Sequence, residues 1–562
     1  MNLYLISIGG TGAKCIEAVI HLASIGLFEA PESKSETNIK VLFIDPDTGN
    51  GTLSRVRATL TQYNESYRYF RQKPGDSLGV SKAWMKTSMS PVGEDGLWNL
   101  INSREKSNGL RGLFEIERLE QSSPDLESLF NVLYSEKDSS LELSAGFRGK
   151  PSVGSAVMQQ KAKSTTEENH CWELLLHDVL NEAERSKSKI CLCGSLFGGT
   201  GASGLPTIGE VVTNRLISVR SKIDVAAVMM LPYFGFQSSK AIESETEYAD
   251  SRDFLLKTEA ALNFYYSQIE KVKANFDAIY LLGGREFSEV DFHIGWDKQN
   301  NPAHYLELYA GLAIQDFYFS SDFDKSRIVR IVGTRARNKI AWEDIPKSKE
   351  VREHIRAATI FAYSWLSFIQ FELKDAREVG IDKAKKALPW ITLFFGKEAG
   401  SIANASLKLL GIFPKKQSSY PTLENISDDE IDALTKWCVS FLSWLVGIHT
   451  IDPDTGGIEI QLVNIQPLKQ LLDHFQTQSQ LGDRDLQAIQ LHTKSPSDWP
   501  NEIADFGITL AQLFLQDSSE DGRLLWKVKE RMNEADFPDI EDFNVFGLIG
   551  LSRFLYQLAS KL

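Results

Sequence analysis

Apolar and polar positions alternate in blocks that spell out an α/β sheet. The chain opens with an apolar run, Leu3 to Ile8, then Gly9-Gly10-Thr11-Gly12, then Ala13 to Ile25 at helical spacing. A second apolar run, Val41 to Ile44, ends at Asp45-Pro46-Asp47-Thr48-Gly49. Strand, glycine turn, helix and strand in that order open a parallel α/β sheet. The pattern resumes later. Ile190 to Cys193 predicts a short strand before a second glycine loop and a helix from Pro206 to Leu216. Val225 to Leu231 and Ala278 to Leu282 predict two more buried strands, the last ending in Gly283-Gly284. Between these blocks, Gly51 to Leu143 is mixed, polar and rich in Ser and charge, and reads as a helical insertion or lid.

Asn301-Pro302-Ala303-His304 predicts a helix start, with Pro where its missing N–H costs nothing. The helix after it is apolar almost all round through Phe319, which implies burial on every side. It should act as a strut between the sheet and the C-terminal part of the chain. Beyond Lys347 the pattern turns helical. Ile355, Ala358, Ala362, Trp365, Leu366, Ile369 and Leu373 share one face, and further helices are predicted at Leu434–Ile448, Ile508–Leu515 and Val545–Leu558. A hairpin is expected at Ile451–Leu462. The hexapeptide Ile44–Gly49 recurs as Ile451–Gly456, where it is most simply a turn. The expected division is therefore residues 1–346, with an insertion over about 52–143, and a mainly α-helical domain over 347–562.

Composition narrows the function classes. A chain of 562 residues with 42% hydrophobic and 24% charged residues is ordinary globular material. With 61 Lys+Arg against 75 Asp+Glu the net charge is −14, which disfavours direct contact with nucleic acid or an anionic membrane. A polyanionic ligand must then be held by a few local cations and by backbone N–H groups. Five cysteines form no disulfide framework, and no His/Cys spacing suits zinc. No signal peptide is indicated at Met1–Ile6, and no apolar run reaches the roughly 18 residues of a membrane helix. The expectation is a reduced, cytoplasmic chain without a membrane partner.

The glycine loops are the candidate chemistry. Gly9-Gly10-Thr11-Gly12 lies between strand and helix, where glycines let backbone approach a phosphate and the helix start supplies N–H donors. Read alone, it is equally a plain strand-to-helix turn. It lacks the P-loop order and the third glycine of the dinucleotide fingerprint. Gly194-Ser195-Leu196-Phe197-Gly198-Gly199-Thr200-Gly201-Ala202-Ser203-Gly204 also follows a strand and precedes a helix, and such a loop makes a nest of N–H groups suited to a di- or triphosphate.

These loops resemble, in order, those of the tubulin/FtsZ superfamily. Phe197–Gly204 is similar to its glycine-rich signature, with Phe197 for the first glycine and one residue added before Gly204. Gly9–Gly12 matches the first glycine turn, and Phe43–Thr48 the acidic segment facing magnesium and the terminal phosphate. Gly146-Phe147-Arg148-Gly149-Lys150-Pro151-Ser152-Val153-Gly154 is similar to the loop around the γ-phosphate, and Leu231-Pro232-Tyr233-Phe234-Gly235-Phe236 to the ribose-side loop. The matches cover Met1 to Asp324 in patches. The resemblance implies a parallel-sheet nucleotide-binding domain holding GTP, or another purine nucleotide, with Mg²⁺. Gly9, Gly10, Thr11, Gly12, Gly198, Gly199, Thr200 and Gly201 would cradle phosphates. Arg148, Gly149 and Lys150 would meet the γ-phosphate, Pro232 would lie by the ribose, and Asp45 and Asp47 would hold Mg²⁺. Arg148 and Lys150 also read as surface charges, and Asp45 as a turn cap.

The resemblance departs at the guanine-reading positions, where Asn301 and His304 are the nearest candidates and His304 equally suits a hydrogen-bonded core histidine. It departs again at the loop that reaches a neighbouring subunit. There Asp322 and Asp324 stand for the catalytic carboxylates, Lys325 replaces another, and a solvated charged turn explains the pair as well. The mainly helical C-terminal part also differs from the family's second domain. The resemblance leaves two functions open: a slow GTPase completed by self-association into filaments, or a nucleotide-bound, non-filamentous scaffold or switch binding another protein through its helical C-terminal domain.

Overall fold

Each of the five apolar runs becomes a strand of one sheet. The computed structural model describes residues 2–29, 37–71, 84–101, 109–163, 170–236, 253–284, 288–290, 297–323, 328–332, 339–396, 421–449, 459–481, 508–515, 523–534 and 547–562. The strands are β1 (Asn2–Ile8), β2 (Asn38–Ile44), β3 (Ser88–Pro91), β4 (Leu97–Trp98), β5 (Ser188–Ser195), β6 (Ile223–Met230), β7 (Phe234–Phe236), β8 (Ala278–Leu282), β9 (Ser288–Val290) and β10 (Val329–Val332). Eight of them make the main sheet in the order β10-β8-β6-β5-β1-β2-β3, with β4 also on β2. Every pairing in it is parallel. β7 and β9 pair apart. The N-terminal strand, β1, thus lies inside the sheet, with β2 on one side and β5 on the other.

Parallel strands need crossovers, and the crossover helices bury both faces. The principal helices include α1 (Gly9–Ser24), α2 (Gly51–Phe70), α3 (Pro151–Lys163), α4 (His170–Ala183), α5 (Gly199–Arg215), α6 (Phe254–Ser267), α7 (Tyr305–Phe319), α8 (Ser348–Ser364), α9 (Asp428–His449) and α10 (Gly547–Lys561). One face carries a core built on α3, α4 and α5, with Met158, Trp172 and Ile208 in it. The other carries α1, α2 and α7, and that core continues without a break into the C-terminal helices.

Part of the stretch read as an insertion is integral to this architecture. α2 buries Leu53, Val56, Leu60, Tyr63 and Phe70, and β3 and β4 pair with β2. Ser88-Met89-Ser90-Pro91 is too short and polar to announce a strand, and its Pro suits an edge. Among the described residues, short helices follow between Gly109 and Ser139.

In the C-terminal region α9 covers the predicted Leu434–Ile448 helix and α10 most of Val545–Leu558, whereas of Ile508–Leu515 only Leu510–Leu513 is helical. α8 runs on through a π-helical segment, Trp365–Ile369, into a helix Gln370–Val379. Its seven predicted face residues are all fully buried. The predicted hairpin is different: Glu459–Ile460 pairs in parallel with Lys339–Ile340, and Ile451–Gly456 lies outside the described residues. One described helix, α9, is long and apolar enough to cross a membrane by length and composition, and more than half of that stretch is buried inside the protein. α7 is the predicted strut, buried along nearly its whole length.

Aromatic stacking ties the region down. Trp84 stacks on Tyr556 of α10 at 5.4 Å and meets Phe361 of α8 and Trp437 of α9. His21 of α1 stacks on Trp444 of α9 at 5.0 Å. Ser66 of α2 donates to the Ala433 carbonyl, and Tyr556 to that of Ile25.

Because α8, α9 and α10 complete a shared core, residues 1–346 expressed alone should expose the backs of α1, α2 and α7. Such apolar area is worth about 25 cal/mol per Å². We expect that fragment to aggregate or to melt without a cooperative transition, read by circular dichroism. A sharp thermal transition in a soluble 1–346 fragment would contradict the shared core.

Candidate functional site

The sheet directs the two glycine loops to one place. Strand order reverses between β1 and β5, and ligands of open α/β sheets bind in the crevice beyond the carboxyl ends at such a switch point. α1 starts at the end of β1 and α5 just after β5. Gly9 has φ +74°, and a side chain there would meet Thr200 Cβ at 3.2 Å, so the two helix starts touch. Neither helix has a side-chain cap or an acidic residue in its first turn. Their first N–H groups, with the positive ends of two macrodipoles, converge on one spot.

The remaining glycines divide by what surrounds them. A Cβ on Gly199 would lie 2.8 Å from the Gly149 nitrogen, and one on Gly201 2.5 Å from the Ser195 carbonyl oxygen. A Cβ on Gly12 would collide with the Cys193 carbonyl. Protein backbone therefore requires these three glycines, so alanine at Gly199 or Gly201 disturbs packing before it reaches any phosphate. Gly10 is different, since its nearest neighbour would be Asn50 Oδ1 at 3.8 Å.

Asn50 caps α2 by accepting from the Leu53 N–H, and so brings the β2–α2 loop against Gly10. That loop carries Asp45 and Asp47, both buried. The Asp47 N–H donates to Asp45 Oδ1 at 3.0 Å, the turn-cap role, yet burial still pushes the Asp45 carboxyl up to about 7. Among the described residues no group of three or more His, Cys, Asp or Glu is arranged to hold a metal. Two carboxylates beside a pair of helix starts nevertheless suit Mg²⁺, which takes one or two protein oxygens and fills its shell with water and ligand oxygens.

The loop 146–150 closes the third side. Lys150 N–H donates to the Phe147 carbonyl, and both intervening residues, Arg148 (φ +42°) and Gly149 (φ +73°), are left-handed. This is the backbone pattern of a type I′ turn. Phe147 is buried below and the turn rests on Gly199. Lys150 is ion-paired with Asp138 at 2.5 Å, while among the described residues Arg148 meets a carboxylate only at Glu142, 3.9 Å away.

At the far side of the crevice the structure brings together residues that the sequence did not single out. Lys14 of α1 pairs with Glu307 of α7 at 2.5 Å, and Tyr233 donates to the same carboxylate oxygen at 2.7 Å. All three are buried. Burial pushes the Glu307 carboxyl up, against the pull of the Lys14 ammonium and the Tyr233 hydroxyl. His304 caps α7: its Nδ1 accepts from Leu306 N–H, and its own N–H donates to Glu307 Oε2. Its ring packs on Tyr233 and Tyr305, and burial, helped by Lys14, holds its basicity well below the ordinary value. Pro232, before Tyr233, is buried too. Asn301 is tied to α2, its N–H donating to Thr52 Oγ1 and its carbonyl accepting from Arg55. The signal for this cluster was a lysine on an otherwise apolar helix face and a glutamate inside an apolar helix.

Asp322 lies away from the crevice of its own chain. α7 begins beside Tyr233 and ends where Lys189, at the start of β5, donates to the Phe317 carbonyl. Fifteen residues of helix at 1.5 Å each put the exposed Asp322 about 22 Å away. Asp324 lies outside the described residues. The chain matches no protein-family model, and no curated protein is significantly similar to it.

Proposed function

We propose that the protein binds a purine nucleoside triphosphate, GTP in the first instance, in the crevice beyond β1 and β5. The observation that carries this reading is the meeting of two uncapped, glycine-opened helix starts at the point where strand order reverses. Gly10, Thr11, Gly198 and Thr200 are part-exposed there and present backbone to a phosphate chain. Asp45 and Asp47 would hold Mg²⁺, which when bound neutralises charge building up on the phosphates. The order of these loops along the chain supports a tubulin-like relationship and, with it, a slow hydrolase.

Asp322 sits about 22 Å from the crevice, so its carboxylate serves a nucleotide only in a second copy of the chain. That placement favours hydrolysis completed by self-association. A non-filamentous switch has its own support. α1 carries the cradle at its first turn and stacks on α9 through His21 and Trp444, so any shift of α1 passes directly to the helical region. Negative-stain microscopy with GTP and Mg²⁺ separates the two: filaments favour the hydrolase, while dispersed particles that bind GTP favour the switch.

Gly10→Ala tests the cradle without breaking the fold. The new methyl meets nothing closer than Asn50 Oδ1 at 3.8 Å, and alanine favours helix by up to about 1 kcal/mol. We expect stability unchanged or higher, and triphosphate affinity down at least about tenfold by calorimetry, since a charged-acceptor hydrogen bond is worth about 1.5–3 kcal/mol. Equal binding by the variant and wild type would remove the first glycine turn from the site.

Asp45 gives a pH signature. Burial raises its folded carboxyl from 3.8 to about 7, so between those values the ligand-free native state holds a proton that the unfolded chain has lost. Its contribution to stability therefore falls as pH rises through that window. Mg²⁺ needs the carboxylate, so Mg²⁺-dependent nucleotide binding should release a proton near pH 7 and weaken as pH drops to 6. Calorimetry in two buffers of different ionisation enthalpy measures that proton. No proton release, and the same Mg²⁺ dependence in Asp45→Asn, would exclude Asp45 as a ligand.

A further inference from the structure

Lys257 bears directly on the phosphate loop, although it lies more than a hundred residues further along the chain. It is the one basic residue of α6. α6 is anchored by Phe254, whose ring packs on Phe197 at 4.8 Å and edge-on against Phe234 at 6.2 Å. Phe197 immediately precedes Gly198, so the anchor is the glycine loop itself. Lys257, one turn beyond Phe254, reaches back over the turn Phe147–Lys150. Its Nζ is 2.8 Å from the point a Cβ would occupy on Gly149, and Gly149 in turn abuts Gly199 at the start of α5.

Three cations surround this turn, and they differ in what already satisfies them. Lys150 is committed to Asp138 at 2.5 Å. Lys257 has Asp253 at 4.0 Å, too long for a hydrogen bond, and Arg148 has Glu142 at 3.9 Å. The Arg148 Nε is buried with no hydrogen-bond partner among the described residues. In a chain of net charge −14, two under-satisfied cations at the edge of an N–H nest mark a place for additional negative charge.

We propose that Lys257 and Arg148 form a clamp for the terminal phosphate, with Lys257 as the residue that distinguishes triphosphate from diphosphate. This rests on the proposed nucleotide site and deepens it. Arg148 is held over the site by a strained left-handed backbone, and Lys257 arrives from a separate helix, so the clamp is assembled only when α6 is docked on Phe197. Lys150 stays with Asp138 and holds the turn to the short helix Glu136–Ser139.

The test compares GTP and GDP binding, each with Mg²⁺, for wild type, Lys257→Ala, Arg148→Ala and Lys150→Ala. Lys257→Ala should weaken GTP by about 10–100-fold, the loss of one charge-assisted contact, and leave GDP within about threefold. Arg148→Ala should shift the same way. Lys150→Ala should lower thermal stability but keep the GTP/GDP ratio. If Lys257→Ala changes GTP and GDP equally, or neither, the clamp assignment is wrong while the nucleotide reading stands. If wild type binds neither nucleotide, the nucleotide reading fails, and inorganic tripolyphosphate then tests the clamp alone. Thermal protection of wild type that is lost in Lys257→Ala keeps the clamp, and no protection of wild type ends it.

Discussion

The close approach of α1 and α5 is the constraint on which the rest depends. Two helices that begin at neighbouring strand ends would ordinarily repel through their aligned dipoles and crowd through their side chains. Gly9, with φ +74° and Thr200 only 3.2 Å from where its Cβ would be, removes the crowding. What remains is a concentration of unsatisfied N–H groups that needs an anion. Neither first turn carries an Asp or Glu to supply one. The acidic pair the chain does bring close, Asp45 and Asp47, comes from the neighbouring β2–α2 loop, where carboxylates suit a cation.

A buried polar string ties this cradle to the core. Lys14, one turn into α1, meets Glu307 near the start of α7 and Tyr233 after β6. Removing one partner of such a pair strands the other, typically at about 3–5 kcal/mol. The string therefore fixes the register of α1 against α7, and α7 against the loop carrying Pro232. Behind it, Glu17 and Arg55 join α1 to α2, and His21 joins α1 to α9. One helix thus presents uncapped backbone at its start and holds four other elements along its length.

Much of the fold was legible because parallel strands and buried helices write continuous apolar runs. β1, β2, β5, β6 and β8, the face of α8 and the all-round apolarity of α7 were each readable from local pattern. β3 was not, since Ser88-Met89-Ser90-Pro91 owes its conformation to pairing with β2 rather than to its own residues. The glycine segments were legible as strand-to-helix junctions, but Gly9–Gly12 and Gly199–Gly204 form the first turns of α1 and α5 rather than loops before them, and the reason for each glycine was not legible. Gly12, Gly199 and Gly201 answer to backbone packed against them, which only the tertiary structure reveals. Lys14 and Glu307 stood out only as charges on apolar helices, and Lys257 not at all, because each draws its meaning from a residue far away in sequence. Arg148 and Lys150 read alike in sequence and part company only because Asp138 claims one of them.

Hydrogen exchange by mass spectrometry tests the central claim most directly. With a non-hydrolysable GTP analogue and Mg²⁺, protection should rise in peptides containing Gly9–Gly12, Asp45–Asn50, Phe147–Lys150 and Gly198–Gly201. It should be unchanged around Asp322 at protein concentrations that keep the chain monomeric. Protection elsewhere, or none in these four segments while the nucleotide is bound, would contradict a nucleotide site at the β1/β5 switch point.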